Sequence, residues 1–148
     1  MYKTYFLLLV SLFAFQSLCS QSADLSKLTI EVQGLRNTEG VLSIIIFNSP
    51  EGFPEDVEKA FRWKRIEIRS ETEHFHFENV PEGTYAFAIL HDEDENGEMK
   101  KNFLGMPKEG FAFSNNYRPK VKNPAFEDAA FEVRGKTETL EIEMVYFL

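Results

Sequence analysis

One cysteine, one tryptophan and three histidines are all that 148 residues supply of the side chains that most often carry redox, stacking and proton-transfer chemistry. A single cysteine, Cys19, allows no disulfide framework and no cysteine-rich metal knuckle. Positive charge is also scarce: 16 Lys and Arg stand against 24 Asp and Glu, for a formal net charge of -8. A nucleic-acid partner calls for a basic stripe, and the chain has none. There is no Gly-x-Ser-x-Gly elbow and no glycine loop of the phosphate-cradling kind. The acids are many, but no spacing sets two of them apart as a glycosidase pair. No apolar run is long enough to span a bilayer as a helix.

The longest apolar run is at the start. Met1-Tyr2-Lys3 makes a short positive lead, Tyr5 to Phe15 is apolar except for Ser11, and Gln16, Ser17, Ser20 and Gln21 follow at once. This is the layout of a secretory signal peptide, expected over residues 1–20, with cleavage between Cys19 and Ala23 and placed at Ser20/Gln21. Cys19 raises the alternative of a lipidated cysteine, but Gln16-Ser17-Leu18 fits a lipobox poorly, so the cysteine is expected to leave with the leader. The remainder, residues 21–148, is then one exported domain, periplasmic or secreted, without thiol chemistry. It loses Lys3 and is one charge more acidic than the whole chain.

That remainder is rich in phenylalanine, with 12 of the chain's 15, and its apolar residues alternate. Leu28, Ile30 and Val32 face one way and Thr29, Glu31 and Gln33 the other, the period-two signature of a half-buried strand. Val41 to Phe47 is almost continuously apolar, as a central strand is. Trp63–Arg69 and Glu73–Val80 read as a hairpin with Ile66, Ile68, Phe75 and Phe77 inward. Pro81-Glu82-Gly83 is a turn, and Gly83–His91 sets Tyr85, Phe87 and Ile89 against small Ala86 and Ala88. Ala129–Arg134 and Thr139–Leu148 complete seven strands. The expectation is an all-β, antiparallel sandwich of immunoglobulin-like or transthyretin-like type. A short helix is expected at Glu55–Phe61 after Pro54, with Glu55 facing Lys59.

Asp92 to Asp128 shows no clear strand, and so long a connection in a compact domain reads as functional. It opens with Asp92, Asp94 and Asn96 two residues apart, then Gly97 and Glu98. Alternate oxygens followed by glycine are the first half of a calcium loop. The twelfth position from Asp92 is Phe103, so this is not an EF-hand. Calcium on Asp92, Asp94, Asn96 and Glu98 is the expected cofactor, against the plainer reading of a solvated acidic turn. Further on, Asn102, Phe103, Phe111, Phe113, Asn115 and Asn116 mix aromatics with amides. They form either a ligand-binding surface or the packing of the loop, since Asn also fixes turns.

His74 and His76 alternate opposite Phe75 and Phe77. Two histidines so spaced can share a metal, but the sequence shows no third ligand, and a solvated strand face explains them as well. His91, in phase with Tyr85, Phe87 and Ile89, reads as a histidine at the edge of the core.

The run Leu28 to Leu35, Gly40 to Asn48, Glu51-Gly52-Phe53-Pro54, Pro81-x-Gly83-Thr84-Tyr85, His91-Asp92-Glu93, Asn96-Gly97, Asn102 to Pro107 with Glu109-Gly110, Phe113-Ser114-Asn115-Asn116 and Phe126 to Phe131 resembles a bacterial exported family catalogued as domain of unknown function 2141. The resemblance covers nearly all of the chain after the leader. Asp94-Glu95 stands where an Asn-Gly type pair is common in that family, which adds charge to the loop. The resemblance implies a transthyretin-like or carboxypeptidase-regulatory-like sandwich of a kind that binds or scaffolds, and it transfers no catalytic residue.

The expected function is therefore a non-catalytic binding or scaffold module of the bacterial cell envelope. Its partner would be a protein, glycan or small molecule, and its functional rim would be the long connection. Two rivals stand beside it. One is a metal-assisted hydrolase using His91 with Asp92 or Asp94. The other is a carrier holding an apolar ligand against Phe103, Phe111, Phe113 and Tyr117.

Overall fold

The structure, a computed structural model, describes residues 25–120 and 122–147. The expected leader and Cys19 lie outside the described residues. Within them are eight strands: β1 Leu25–Gln33, β2 Val41–Phe47, β3 Arg62–Glu67, β4 Glu73–Pro81, β5 Gly83–Asp92, β6 Gly110–Phe113, β7 Phe131–Val133 and β8 Thr137–Glu143. One sheet has the order β4-β1-β8, the other β3-β2-β5-β6, and β7 pairs with β5. Because β6 pairs Ala88–His91 and β7 pairs Gly83–Tyr85, the two short strands share one edge of β5 end to end. Among the described residues no helix is long and apolar enough to cross a membrane.

The all-β sandwich expected from the alternation is there. Leu28, Ile30 and Val32 of β1 and Phe75 and Phe77 of β4 meet Leu42, Ile44, Ile46, Phe87 and Ile89 between the sheets. A second apolar cluster lies on the far side of the larger sheet, where Phe47, Ala86, Phe111, Phe113, Phe126 and Ala129 are buried together. The larger sheet is thus covered on both faces, which is why β2 reads as a continuous apolar run. The small residues Ala86 and Ala88 leave room for this second layer. Phe53 is at its centre, with its ring centroid 5.4 Å from that of Phe47 and 5.9 Å from that of Phe126.

Three local expectations are corrected. The pair β1–β8 runs parallel, not antiparallel, because β8 follows β7, which belongs to the other sheet, and crosses over to arrive beside β1. The helix expected at Glu55–Phe61 is one 3-10 turn, Val57–Lys59. Asp56 caps it, and Lys59 pairs at 2.7 Å with Glu51 rather than with Glu55. Within the long connection, Gly110–Phe113 forms a strand and Phe126–Ala129 a single α-helical turn, α1. All four residues of β6 are buried, so it shows no alternation by which sequence could reveal it.

Both free edges of the three-stranded sheet are covered by side chains. On β4, the carbonyls of His76, Glu78 and Asn79 accept from Lys64 and Arg62 of β3. On β8, Asn116 donates to Glu141 O at 3.0 Å and accepts from Glu143 N at 2.8 Å. Unpaired edge groups invite pairing with other chains, and these contacts occupy them.

Gly40, at φ +68°, lets β2 begin against the end of β5. A Cβ there would fall 2.1 Å from Asp92 O and 2.7 Å from Glu93 Cα. Gly40→Ala is expected to cost about 2–3 kcal/mol or more in urea unfolding. Gly105→Ala, at φ +78° with open space around it, isolates the backbone component and is expected to cost only about 1 kcal/mol.

Candidate functional site

β5 ends in two polar residues, His91 and Asp92, that are fully buried. His91 Nε2 lies 2.9 Å from Glu39 O. A carbonyl only accepts, so Nε2 donates. Nδ1 then accepts from the Tyr146 hydroxyl at 2.7 Å, and that hydroxyl accepts in turn from Arg36 N–H at 3.3 Å. Burial pushes the Tyr146 phenol above its ordinary range, so it stays a donor. With both ring nitrogens engaged and no exposed surface, His91 offers no lone pair to a bound substrate.

Asp92 organises the loop that follows it. Its Oδ1 accepts from Asn96 N at 3.0 Å, and its Oδ2 accepts from Gly97 N at 2.8 Å and from Arg65 Nη2 at 2.9 Å. Glu95 at φ 58° and Gly97 at φ 84° turn the chain back onto this carboxylate. Glu109, 2% exposed, does the same from the other end of the loop. Its Oε1 accepts from Glu93 N at 3.0 Å and its Oε2 from Lys100 N at 2.8 Å. Between them Glu93 is clamped by Arg36, whose Nε donates at 2.7 Å and whose Nη2 pairs with the other oxygen, and by Asn37 Nδ2 at 2.8 Å.

The two loop ends bring carboxylates together. Asp92, Asp94 and Glu109 each offer an oxygen, all within 4.8 Å of one another. Of the four expected metal ligands, Asp92 and Asp94 are in this group. Asn96 is used in the turn, its Oδ1 accepting from Glu98 N at 2.7 Å. Glu98 is outside the group, and Glu109, which the spacing did not single out, is in it. In the sequence Glu109 stands out only as part of the Glu109-Gly110 pair in the family resemblance, with no spacing that ties it to Asp92. Asp94 also pairs with Lys100 Nζ at 2.8 Å.

The six expected ligand-binding residues are not brought to one surface. Asn102 builds a tight tip. Its backbone N–H donates to Met106 O at 2.9 Å, and its Oδ1 accepts from Leu104 N and Met106 N. The tip displays Phe103, 95% exposed, with Leu104 at 71% and Met106 at 42%. Phe111 and Phe113 are buried in the second apolar cluster, with Tyr117 packed against it. Asn115 and Asn116, both at positive φ, are structural: Asn115 donates to Ala130 O at 2.6 Å, and Asn116 covers the β8 edge. A concavity of ≈ 380 Å³, lined by Arg62, Trp63, Lys64, His76, Phe77 and Glu78, is away from these aromatics.

The Arg36 clamp links the rim to pH. Hydrogen bonding to Arg36 holds the Glu93 carboxyl below its ordinary value of 4.5. A carboxylate lowered on folding stabilises above its unfolded pKa, and that contribution is lost as pH falls through the folded value. Arg36 is partly exposed, so the pair is worth about 1 kcal/mol. Urea midpoints of the wild type are expected to fall more steeply below pH 4.5 than those of Glu93→Gln, while the variant is about 1 kcal/mol less stable at pH 7.

No curated protein and no solved structure is significantly similar to the chain. A family profile does match, over residues 30–141, carrying the strands, the Asp92 loop and its apolar tip. The chain therefore belongs to the family described as "Uncharacterized protein conserved in bacteria (DUF2141)".

Proposed function

We propose that this chain is an exported, non-catalytic β-sandwich module of the bacterial cell envelope. It binds its partner through the rim between Asp92 and Gly110, and calcium orders that rim. The observation that carries the reading is the tip at Phe103, Leu104 and Met106. Large apolar side chains lie in water on a loop whose backbone is pinned by Asn102, Asp92 and Glu109. A contiguous exposed apolar cluster marks an interaction site, and holding it rigid beforehand lowers the entropy lost on binding. The leader-like residues 1–20 support export.

Calcium suits the acids behind the tip. Oxygens facing each other across a calcium ion, at bonds of about 2.3–2.6 Å, are at most about 5 Å apart. The 4.8 Å spread of Asp92, Asp94 and Glu109 accommodates that. A carboxylate has about four acceptor sites. Asp92 receives three hydrogen bonds and Glu109 two, so each retains capacity. Lys100 Nζ, on Asp94, is the group a cation displaces.

Thermal melts with calcium test this. Calcium at about one hundred times its Kd is expected to stabilise the chain by about 2.7 kcal/mol, raising the midpoint by several degrees. Asp94→Ala, which leaves the buried anchors intact, abolishes the rise. Lys100→Ala moves it to lower calcium. A wild-type midpoint that does not respond removes the cation. Separately, the variant with Phe103, Leu104 and Met106 all changed to Ser keeps the wild-type midpoint but loses retention of envelope fractions. Equal retention by both proteins removes the rim as the binding surface.

A further inference from the structure

The outer face of the three-stranded sheet places Glu31 of β1 directly opposite His74 of β4, and Thr29 opposite His76. On β8, the partner of Glu31 is the exposed Glu141. This face is separate from the rim and has no part in the reading above. We propose that it holds a divalent transition-metal ion, zinc or copper, on His74 Nε2, His76 Nε2 and Glu31 Oε2, with a fourth position left to water.

Three observations point to the site. First, His74 Nε2 and Glu31 Oε2 are 3.5 Å apart. An ion with bonds of about 2.1 Å to nitrogen and oxygen at a tetrahedral angle separates those atoms by about 3.4 Å. The pair is therefore already at bite distance. Second, the other oxygen of Glu31 is held by Gln33 Nε2 at 2.7 Å, which turns Oε2 toward the histidine. Third, the imidazoles are on one face of β4 and stacked, with ring centroids 6.1 Å apart and planes 13° from parallel. Rotation of the exposed His76 side chain, out of its 3.2 Å contact with Thr29 Oγ1, brings its Nε2 to the ion. Two imidazoles and one carboxylate suit zinc and copper, and copper binds the tighter of the two. The acidic neighbours Glu31 and Glu141 favour any cation here.

Calorimetric titration of the tag-free chain with zinc, and separately with copper, tests the site. One saturable equivalent is expected, and copper electron paramagnetic resonance is expected to show two coordinated nitrogens. His74→Ala, His76→Ala and Glu31→Gln each lower affinity at least tenfold. Asp94→Asn leaves it unchanged. These side chains lie on the sheet surface, so metal-free melts of the variants should match the wild type and certify folding. The absence of a saturable equivalent overturns the proposal. So does binding that survives both histidine substitutions, or binding lost on Asp94→Asn, which moves the ion to the rim.

Discussion

Asp92 and Glu109 are carboxylates out of reach of water, and the rim takes its shape from the N–H groups they require. A buried charge left unpaired costs several kcal/mol. Each of these acids is instead surrounded by backbone N–H groups of the loop it terminates: Asn96 and Gly97 for Asp92, Glu93 and Lys100 for Glu109. Any rearrangement that withdraws those N–H groups strands a charge in the interior. The loop is thereby held to one path without helix or sheet of its own. The same constraint explains an acidic stretch that does not simply fray into solvent, because its charges are divided between interior anchors and exposed positions.

Two-sided burial of the larger sheet decides where this rim can stand. β2 and β5 are covered inside by the smaller sheet and outside by Phe53, Phe111, Phe113 and Phe126. Neither face is left for a ligand, and the aromatics of the long connection go largely to that outer layer. What escapes burial is the tip at Phe103, Leu104 and Met106, beyond the end of β5. The smaller sheet is different. Its inner face is core and its outer face is wet, so Glu31, His74 and His76 keep their chemistry available. Among the described residues, loop tips and the outer face of the smaller sheet are places where polar side chains stay in water.

The alternation of β1 and β4 is visible in the sequence because a strand with one wet face writes its burial at every second residue, and that of β5 because the large Tyr85, Phe87 and Ile89 alternate with the small Ala86 and Ala88. The turn at Pro81-Glu82-Gly83 and the site of the long connection are visible for equally local reasons. The strand β6 is not, since Phe111, Ala112 and Phe113 are buried on both faces and carry no period. Asp92 and Asp94 stand out by spacing. Their companion Glu109 does not, since it meets them only when the loop closes. The Ser114-Asn115-Asn116 run has the amides of a binding surface, but here they serve as backbone partners, a use that depends on which carbonyls happen to lie nearby.

From the residues alone follow the β character, the inward and outward faces of the strands, the acidity and the segment that the sandwich leaves over. These properties are carried by neighbours one or two positions apart, whose relation the extended backbone fixes. The parallel β1–β8 ladder, the meeting of Glu109 with Asp92, and the placing of Glu31 against His74 belong to the folded chain. Each joins residues far apart in sequence, and their distance is set by strand register and sheet crossing, which no local pattern encodes.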